Sequence, residues 1–121
     1  MEKQRTILIC DDEPTLRELV RVSLDGSYRF AEASDGFTAL QLARELTPDV
    51  VVLDLMLPRL SGLEVLAKLR GDERLRSTPV LVITAWNDTM DVALEAGADQ
   101  FVTKPFQPDE LKDAVERLLS D

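Results

Sequence analysis

The chain has 121 residues, 45% of them hydrophobic, enough for one domain with a real core but not for two. Its 14 basic and 23 acidic residues leave a net charge of −9. That argues against direct nucleic-acid binding, for which no excess of Lys and Arg exists, and fits a basic partner surface or a site that concentrates cations. Histidine is absent, so imidazole ligation of zinc and serine–histidine catalysis are excluded, and carboxylate, lysine and hydroxyl chemistry remain.

No apolar run is long enough to span a membrane and the N-terminus lacks a signal-peptide core, so a cytoplasmic protein without membrane contact is expected. The single cysteine, Cys10, lies in an apolar run and reads as a small core residue.

In chain order, Thr6 to Cys10 is a short apolar strand running into Asp11-Asp12-Glu13. Pro14 suits the first turn of a helix in which Leu16, Leu19, Val20 and Leu24 fall at helical spacing and which Gly26 ends. Tyr28 to Ala33 reads as a second, weaker strand. Ser34 and Asp35 are cap candidates for a helix burying Ala39, Leu40 and Ala43 and reaching Leu46, broken by Pro48. Val50 to Pro58 is an aliphatic run with one carboxylate, Asp54, near its end. Such a run predicts a strand buried on both faces, and an ionised carboxylate belongs at its mouth.

Ser61 and Gly62 begin a helix with Val65, Leu66 and Leu69 inward, followed by a charged loop from Gly71 to Thr78. Val80 to Thr84 is another strand buried on both faces. Thr89 to Ala96 reads as a short helix closed by Gly97, and Gln100 to Thr103 as a short strand. Lys104-Pro105 makes a turn, and Pro108 to Leu119 forms the last helix, with Leu111, Ala114, Val115, Leu118 and Leu119 on one face.

Five strands alternating with five helices imply a doubly wound α/β domain with a parallel sheet and right-handed crossovers. A flavodoxin-like order, 2-1-3-4-5, sets strands one and three side by side at the switch point, which brings Asp11, Asp12 and Asp54 to one rim. Two unit charges about 4 Å apart repel by roughly 4 kcal/mol at an effective dielectric of about 20, so three such acids take up protons or bind a cation. Taken singly, the acids after strand one also suit a helix N-terminus. Together they favour a hard, oxygen-liking divalent ion, with Mg²⁺ the first candidate and Mn²⁺ the second. Thr84 ends strand four and Lys104 follows strand five. Alone they read as a strand residue and a surface charge; beside the acids they supply a hydroxyl and an ammonium for the oxygens of a transferring phosphoryl group.

These residues resemble the receiver domain of the bacterial two-component response-regulator family. Asp11-Asp12 resembles its acidic pair, Asp54 in Leu-Asp-Leu-Met-Leu-Pro its phosphoacceptor, Thr84-Ala85 its hydroxyl and small neighbour, and Lys104-Pro105-Phe106 its lysine–proline signature. Glu95-Ala96-Gly97-Ala98-Asp99 and Pro58 with Ser61-Gly62 match as well, so the likeness covers essentially the whole chain. The resemblance implies a CheY-like (βα)₅ fold over residues 1–121, a single receiver with no effector domain in this chain. It implies that Asp54 accepts a phosphoryl group from a histidine kinase or a histidine phosphotransfer protein. Asp12, Asp54 and the Met56 carbonyl would ligate Mg²⁺, with Asp11 acting through water. Thr84, the Ala85 backbone and Lys104 would hold the phosphoryl oxygens, the Lys104-Pro105 bond would be cis, and Thr84 with Phe101 would form the switch. An output protein or effector outside this chain would read the phosphorylation state, and the protein would catalyse only its own phosphotransfer and dephosphorylation. Kinase docking would fall near the first helix and the Pro105-Phe106 loop.

Two departures stand out. From Thr84 to Lys104 the chain is about two residues shorter than is usual in the family, so a standard dimer through the face that follows strand four is not expected. Met56 and Trp86, each two residues past a site residue, carry no carboxylate or amide to orient water, which predicts slow self-dephosphorylation, although Trp86 also suits loop packing or partner contact.

Rival readings meet specific obstacles. A phosphatase of the haloacid dehalogenase type wants a second acid two residues after its nucleophile, where Met56 stands. A flavodoxin-like cofactor binder wants a phosphate loop after strand one, where three acids would repel phosphate. A degenerate receiver serving only as an interaction module would be expected to lack some of the site residues, and all are present.

Overall fold

The computed structural model describes residues 4–24, 28–85 and 90–120. Ten elements alternate: β1 (Arg5–Cys10), α1 (Pro14–Leu24), β2 (Tyr28–Ala33), α2 (Gly36–Leu46), β3 (Val50–Asp54), α3 (Gly62–Gly71), β4 (Val80–Thr84), α4 (Met90–Glu95), β5 (Gln100–Thr103) and α5 (Pro108–Leu119). The five strands form one parallel sheet in the order β2-β1-β3-β4-β5, the flavodoxin-like arrangement expected. Gly26, Trp86 and Thr89 lie outside the described residues.

The pleat sorts the sheet residues onto two faces. Leu8, Cys10, Val51, Leu53, Val80 and Val82 pack against α2 and α3 through Leu40, Leu66 and Leu69. Ile7, Ile9, Val50, Val52, Leu81 and Ile83 pack against α1 and α5 through Val20, Leu24, Leu111 and Val115. Every residue of β3 and β4 is buried, because helices cover both faces of these central strands. Each fully buried Leu, Ile or Val contributes roughly 1.5–3 kcal/mol, so these central strands supply a large share of the favourable burial energy. Cys10 belongs to this core, and burial pushes its thiol far above the ordinary range.

The caps follow local chemistry. Asp35 Oδ1 accepts the Thr38 N–H (2.9 Å) to start α2, and Thr47 in the left-handed region ends it. Ser61 and Glu64 form a reciprocal capping box at α3. At the other end of α3, Arg70 donates to the carbonyls of Gly97 (2.9 Å) and Thr78 (2.8 Å) and pairs with Asp99 (2.9 Å), tying α3 to the loop that leads into β4 and to the loop that leads into β5. Two helical leucines stand at the borders of their apolar stripes and stay partly open: Leu19 is 38% and Leu46 43% exposed. Among the described residues, no helix is long and apolar enough to cross a membrane.

Candidate functional site

Leu53 pairs with Cys10 in the β1–β3 register, so the residues that follow, Asp54 and Asp11, emerge side by side at the carboxyl edge of the sheet. Asp12 comes next. One carboxylate oxygen from each of Asp11, Asp12 and Asp54 falls within 4.8 Å of the others. Asp11 and Asp54 are buried at 2% and 3% exposure, whereas Asp12 is exposed, so the cluster is a pit with one open side.

Backbone donors hold the two buried acids. Asp11 Oδ1 accepts the Glu13 N–H (2.8 Å) and Asp54 Oδ1 accepts the Met56 N–H (2.9 Å). Lys104 Nζ donates to Asp54 Oδ2 (3.2 Å) and Asp11 Oδ2 (3.4 Å). Burial pushes the Asp11 carboxyl up most strongly. The Glu13 N–H pulls it down, the Asp54 charge pushes it up, and Lys104 pulls it down; the balance lies at about 6. Burial also pulls on the Lys104 ammonium, yet the charges of Asp54 and Asp11 outweigh it and hold the ammonium above its usual range.

Three carboxylates thus face one ammonium, leaving two negative charges in a pit lined by hard oxygen donors. Those donors, open to water on the Asp12 side, could hold a metal ion, and the donor set suits a divalent ion that retains part of its hydration shell.

Thr84 ends β4 with 1% exposure, and its carbonyl accepts the Lys104 N–H (2.8 Å), which joins the ends of β4 and β5. The Lys104-Pro105 peptide is cis. Ala85 is exposed beside Thr84, and the Met56 side chain is 68% exposed beside Asp54. Phe101 is half-buried in β5 and packs against the core that faces α2 and α3.

Several supporting residues had no motif to announce them. A Cβ on Gly62 would stand 2.4 Å from the Asp54 carbonyl oxygen, and one on Gly36 would stand 2.0 Å from that of Leu60. The two glycines therefore let α3 and α2 close on the loop that follows Asp54, and the Gly36 N–H also donates to the Pro58 carbonyl (3.3 Å). Arg17 donates to the Asp11 carbonyl (2.6 Å) and to Glu32 Oε1 (2.8 Å), and Arg21 binds the other oxygen of Glu32. In the sequence, Arg17 and Glu32 look like solvated charges; only a register calculation for β2 against β1, with α1 laid over both, could have paired them.

Residues 7–116 match the family model for the response regulator receiver domain. The chain is 45% identical over 111 residues to the DNA-binding response regulator MtrA of Mycolicibacterium smegmatis, covering 89% of this chain and 47% of that protein. It is 41% identical over 116 residues to the DNA-binding dual master transcriptional regulator RpaA of Synechocystis, covering 93% and 48%. The chain therefore spans about half the length of these curated relatives. Among solved structures, the chemotaxis response regulator CheY4 of Vibrio cholerae superposes with a TM-score of 0.90 at 28% identity, over 97% of this chain and 100% of that one. The receiver domain of NtrX from Brucella abortus superposes with a TM-score of 0.87 at 34% identity, over 94% and 98%.

Proposed function

This chain belongs to the response regulator receiver domain family, and from that membership we propose that Asp54 is the phosphoacceptor of a two-component phosphorelay. The donor is a phosphohistidine on a histidine kinase or phosphotransfer protein. An Asp54 carboxylate oxygen attacks phosphorus, the new O–P bond forms as the N–P bond breaks, and the electron pair returns to the imidazole, which takes a proton from solvent.

The observation that carries this reading is the convergence of Asp11, Asp12 and Asp54 within 4.8 Å, with Lys104 Nζ on two of them. A carboxylate is a weak nucleophile, so positioning and charge neutralisation must do most of the catalysis. Asp12, Asp54 and the Met56 carbonyl would hold Mg²⁺ (or Mn²⁺), with Asp11 assisting through water. When bound, the ion would supply positive charge that offsets the negative charge of the acids and the phosphoryl group. Lys104 adds its ammonium from the β5 side, and the Thr84 hydroxyl and Ala85 N–H donate to the remaining oxygens.

The acyl phosphate changes the charge at the rim, and Thr84 with Phe101 carries that change to the surface that an output protein or effector reads. The phosphohistidine protein docks at a groove of about 330 Å³ lined by Glu13, Leu16, Leu19, Lys104, Pro105 and Phe106, which opens beside the site. Leu19, exposed on α1, finds its use there. Met56 offers no group to orient water, so self-dephosphorylation is slow, and loss of the acyl phosphate within seconds in Mg²⁺ buffer would refute this.

The test is intact mass after incubation with a small acyl phosphate and Mg²⁺. The wild type gains one phosphoryl group and Asp54→Ala gains none. If the wild type gains nothing, the domain is an interaction module that works without phosphorylation. If Asp54→Ala gains as much as the wild type, another residue is the acceptor.

A further inference from the structure

Resting on the reading of the acidic cluster as a cation site, we propose that Arg17 is a positioning residue for Asp12, and that Glu32 of β2 aims it. The Asp12 carboxylate is exposed, and among the described residues no hydrogen bond or ion pair holds it. Its hold on a cation therefore depends on where its backbone mounts it. The peptide plane that delivers Asp12 is the one whose carbonyl belongs to Asp11, and Arg17 Nη1 grips that carbonyl at 2.6 Å. The same guanidinium gives its Nε–H to Glu32 Oε1 at 2.8 Å, and Glu32 is itself held on its other oxygen by Arg21.

A planar guanidinium bound to two acceptors through different nitrogens has one orientation, so the chain Arg21–Glu32–Arg17 fixes the Asp11–Asp12 peptide as a clamp fixes a lever. The arrangement is partly sheltered, with 16% of the Arg17 side chain and 32% of the Glu32 side chain exposed. The peptide on the other side of Asp11 is held from the same strand, since the Asp11 N–H donates to the Ala33 carbonyl (3.0 Å). β2 sends no side chain into the cluster, yet it holds both peptides that flank Asp11.

Simple electrostatics predicts the opposite sign from positioning, which makes the proposal sharp. Arg17 is a cation near a cation site. If it acted only through its field, its removal would tighten Mg²⁺ binding; if it acts by holding the peptide, its removal weakens it. Losses of about tenfold are typical when a partner that orients a metal ligand is deleted.

The experiment is calorimetric titration of Mg²⁺ alone into wild type, Arg17→Met, Arg17→Lys, Glu32→Gln and the double variant Arg17→Met/Glu32→Gln. Circular dichroism and metal-free thermal melts run alongside. Positioning requires Arg17→Met to weaken Mg²⁺ binding about tenfold while the metal-free chain stays folded. Arg17→Lys keeps the charge but replaces a planar fork of separate nitrogens with one rotatable ammonium, which does not fix the peptide's orientation, so it fails to restore affinity. Glu32→Gln falls between, and the double variant is no weaker than Arg17→Met. Equal or tighter binding by folded Arg17→Met, or full rescue by Arg17→Lys, overturns the proposal. Should Arg17→Met not fold, wild-type affinity in Glu32→Gln overturns it just as well. A wild type that binds no Mg²⁺ overturns the cation-site reading and this inference together, whereas Mg²⁺ binding that is normal in wild type and indifferent to Arg17 overturns this inference alone.

Discussion

The rim has two sides, and they are built on different principles. On the β1–β3 side like charges are forced together by backbone: Asp11 is held through Glu13, Ala33 and Arg17, and Asp54 through Met56 and the close approach of Gly62. On the β4–β5 side, Thr84 and Lys104 share one backbone bond, and the Lys104 side chain reaches across to the acids. Repulsion is thus maintained by rigid packing on one side and relieved by a single flexible cation from the other. Such a site carries a demand for positive charge that a bound cation would satisfy.

Gly62→Ala attacks the packed side directly. Its Cβ would overlap the Asp54 carbonyl and the Leu55 Cα, the latter at 2.5 Å, so the loop or α3 must shift. The expected cost is about 3 kcal/mol in urea unfolding, at the upper end for overpacking, with loss of Mg²⁺ binding. Unchanged stability would mean that the loop yields to the added methyl and is not rigidly packed.

Lys104→Met removes the flexible side. Two buried carboxylates then lose their counter-charge, which costs roughly 2 kcal/mol in the metal-free protein, less than for a fully buried pair because 23% of the Lys104 side chain is exposed. Mg²⁺ should recover more stability in this variant than in wild type; an equal gain in both would break the idea that lysine and metal answer the same demand.

The third test is pH. The folded Asp11 carboxyl sits at about 6 against 3.8 in the unfolded chain, so the folded state holds a proton that the unfolded state has released. This contribution is fully present below the unfolded value and is lost as pH rises through about 6. Metal-free wild type should therefore gain stability from this group between about pH 7 and about pH 5.5, while Asp11→Asn should not, as read from the urea midpoint. Mg²⁺ affinity falls over the same interval, because the carboxyl must be ionised to face the ion. Asp35 behaves oppositely: the Thr38 N–H holds its carboxyl below the usual range, so its contribution is lost on acidification.

Asp12→Asn is the mildest perturbation. It removes an exposed charge from the repelling trio, so the metal-free melting temperature rises slightly or stays level, while the rise on adding Mg²⁺ disappears. A retained Mg²⁺ response would show that Asp11 and Asp54 suffice.

Much of this was legible in the chain. Two unbroken aliphatic runs, Val50 to Leu53 and Val80 to Ile83, announced central strands covered on both faces, and β5 and α5 begin and end at the residues their spacing indicated. Asp11, Asp12 and Asp54 could be placed on one rim because each follows an apolar strand and a doubly wound order sets those strands together. Leu19 and Leu46 were less legible: helical spacing marks a stripe, but whether its border is covered depends on the neighbouring helix. The unequal burial of Asp11 and Asp12 was also hidden, since adjacent residues after a strand point apart by an amount that the loop decides.

By itself, the sequence determined the order of elements, the parallel sheet and the identity of the acids, because periodicity and residue type act over short range. Only the tertiary structure decided which acid is buried, which glycines must lack a side chain, and that Arg17 and Glu32, 15 residues apart, meet above the Asp11–Asp12 peptide. Those outcomes depend on where β2, α1 and α3 lie against the switch point, and hydrogen bonds at 2.6 to 3.4 Å are set by that placement rather than by any local pattern.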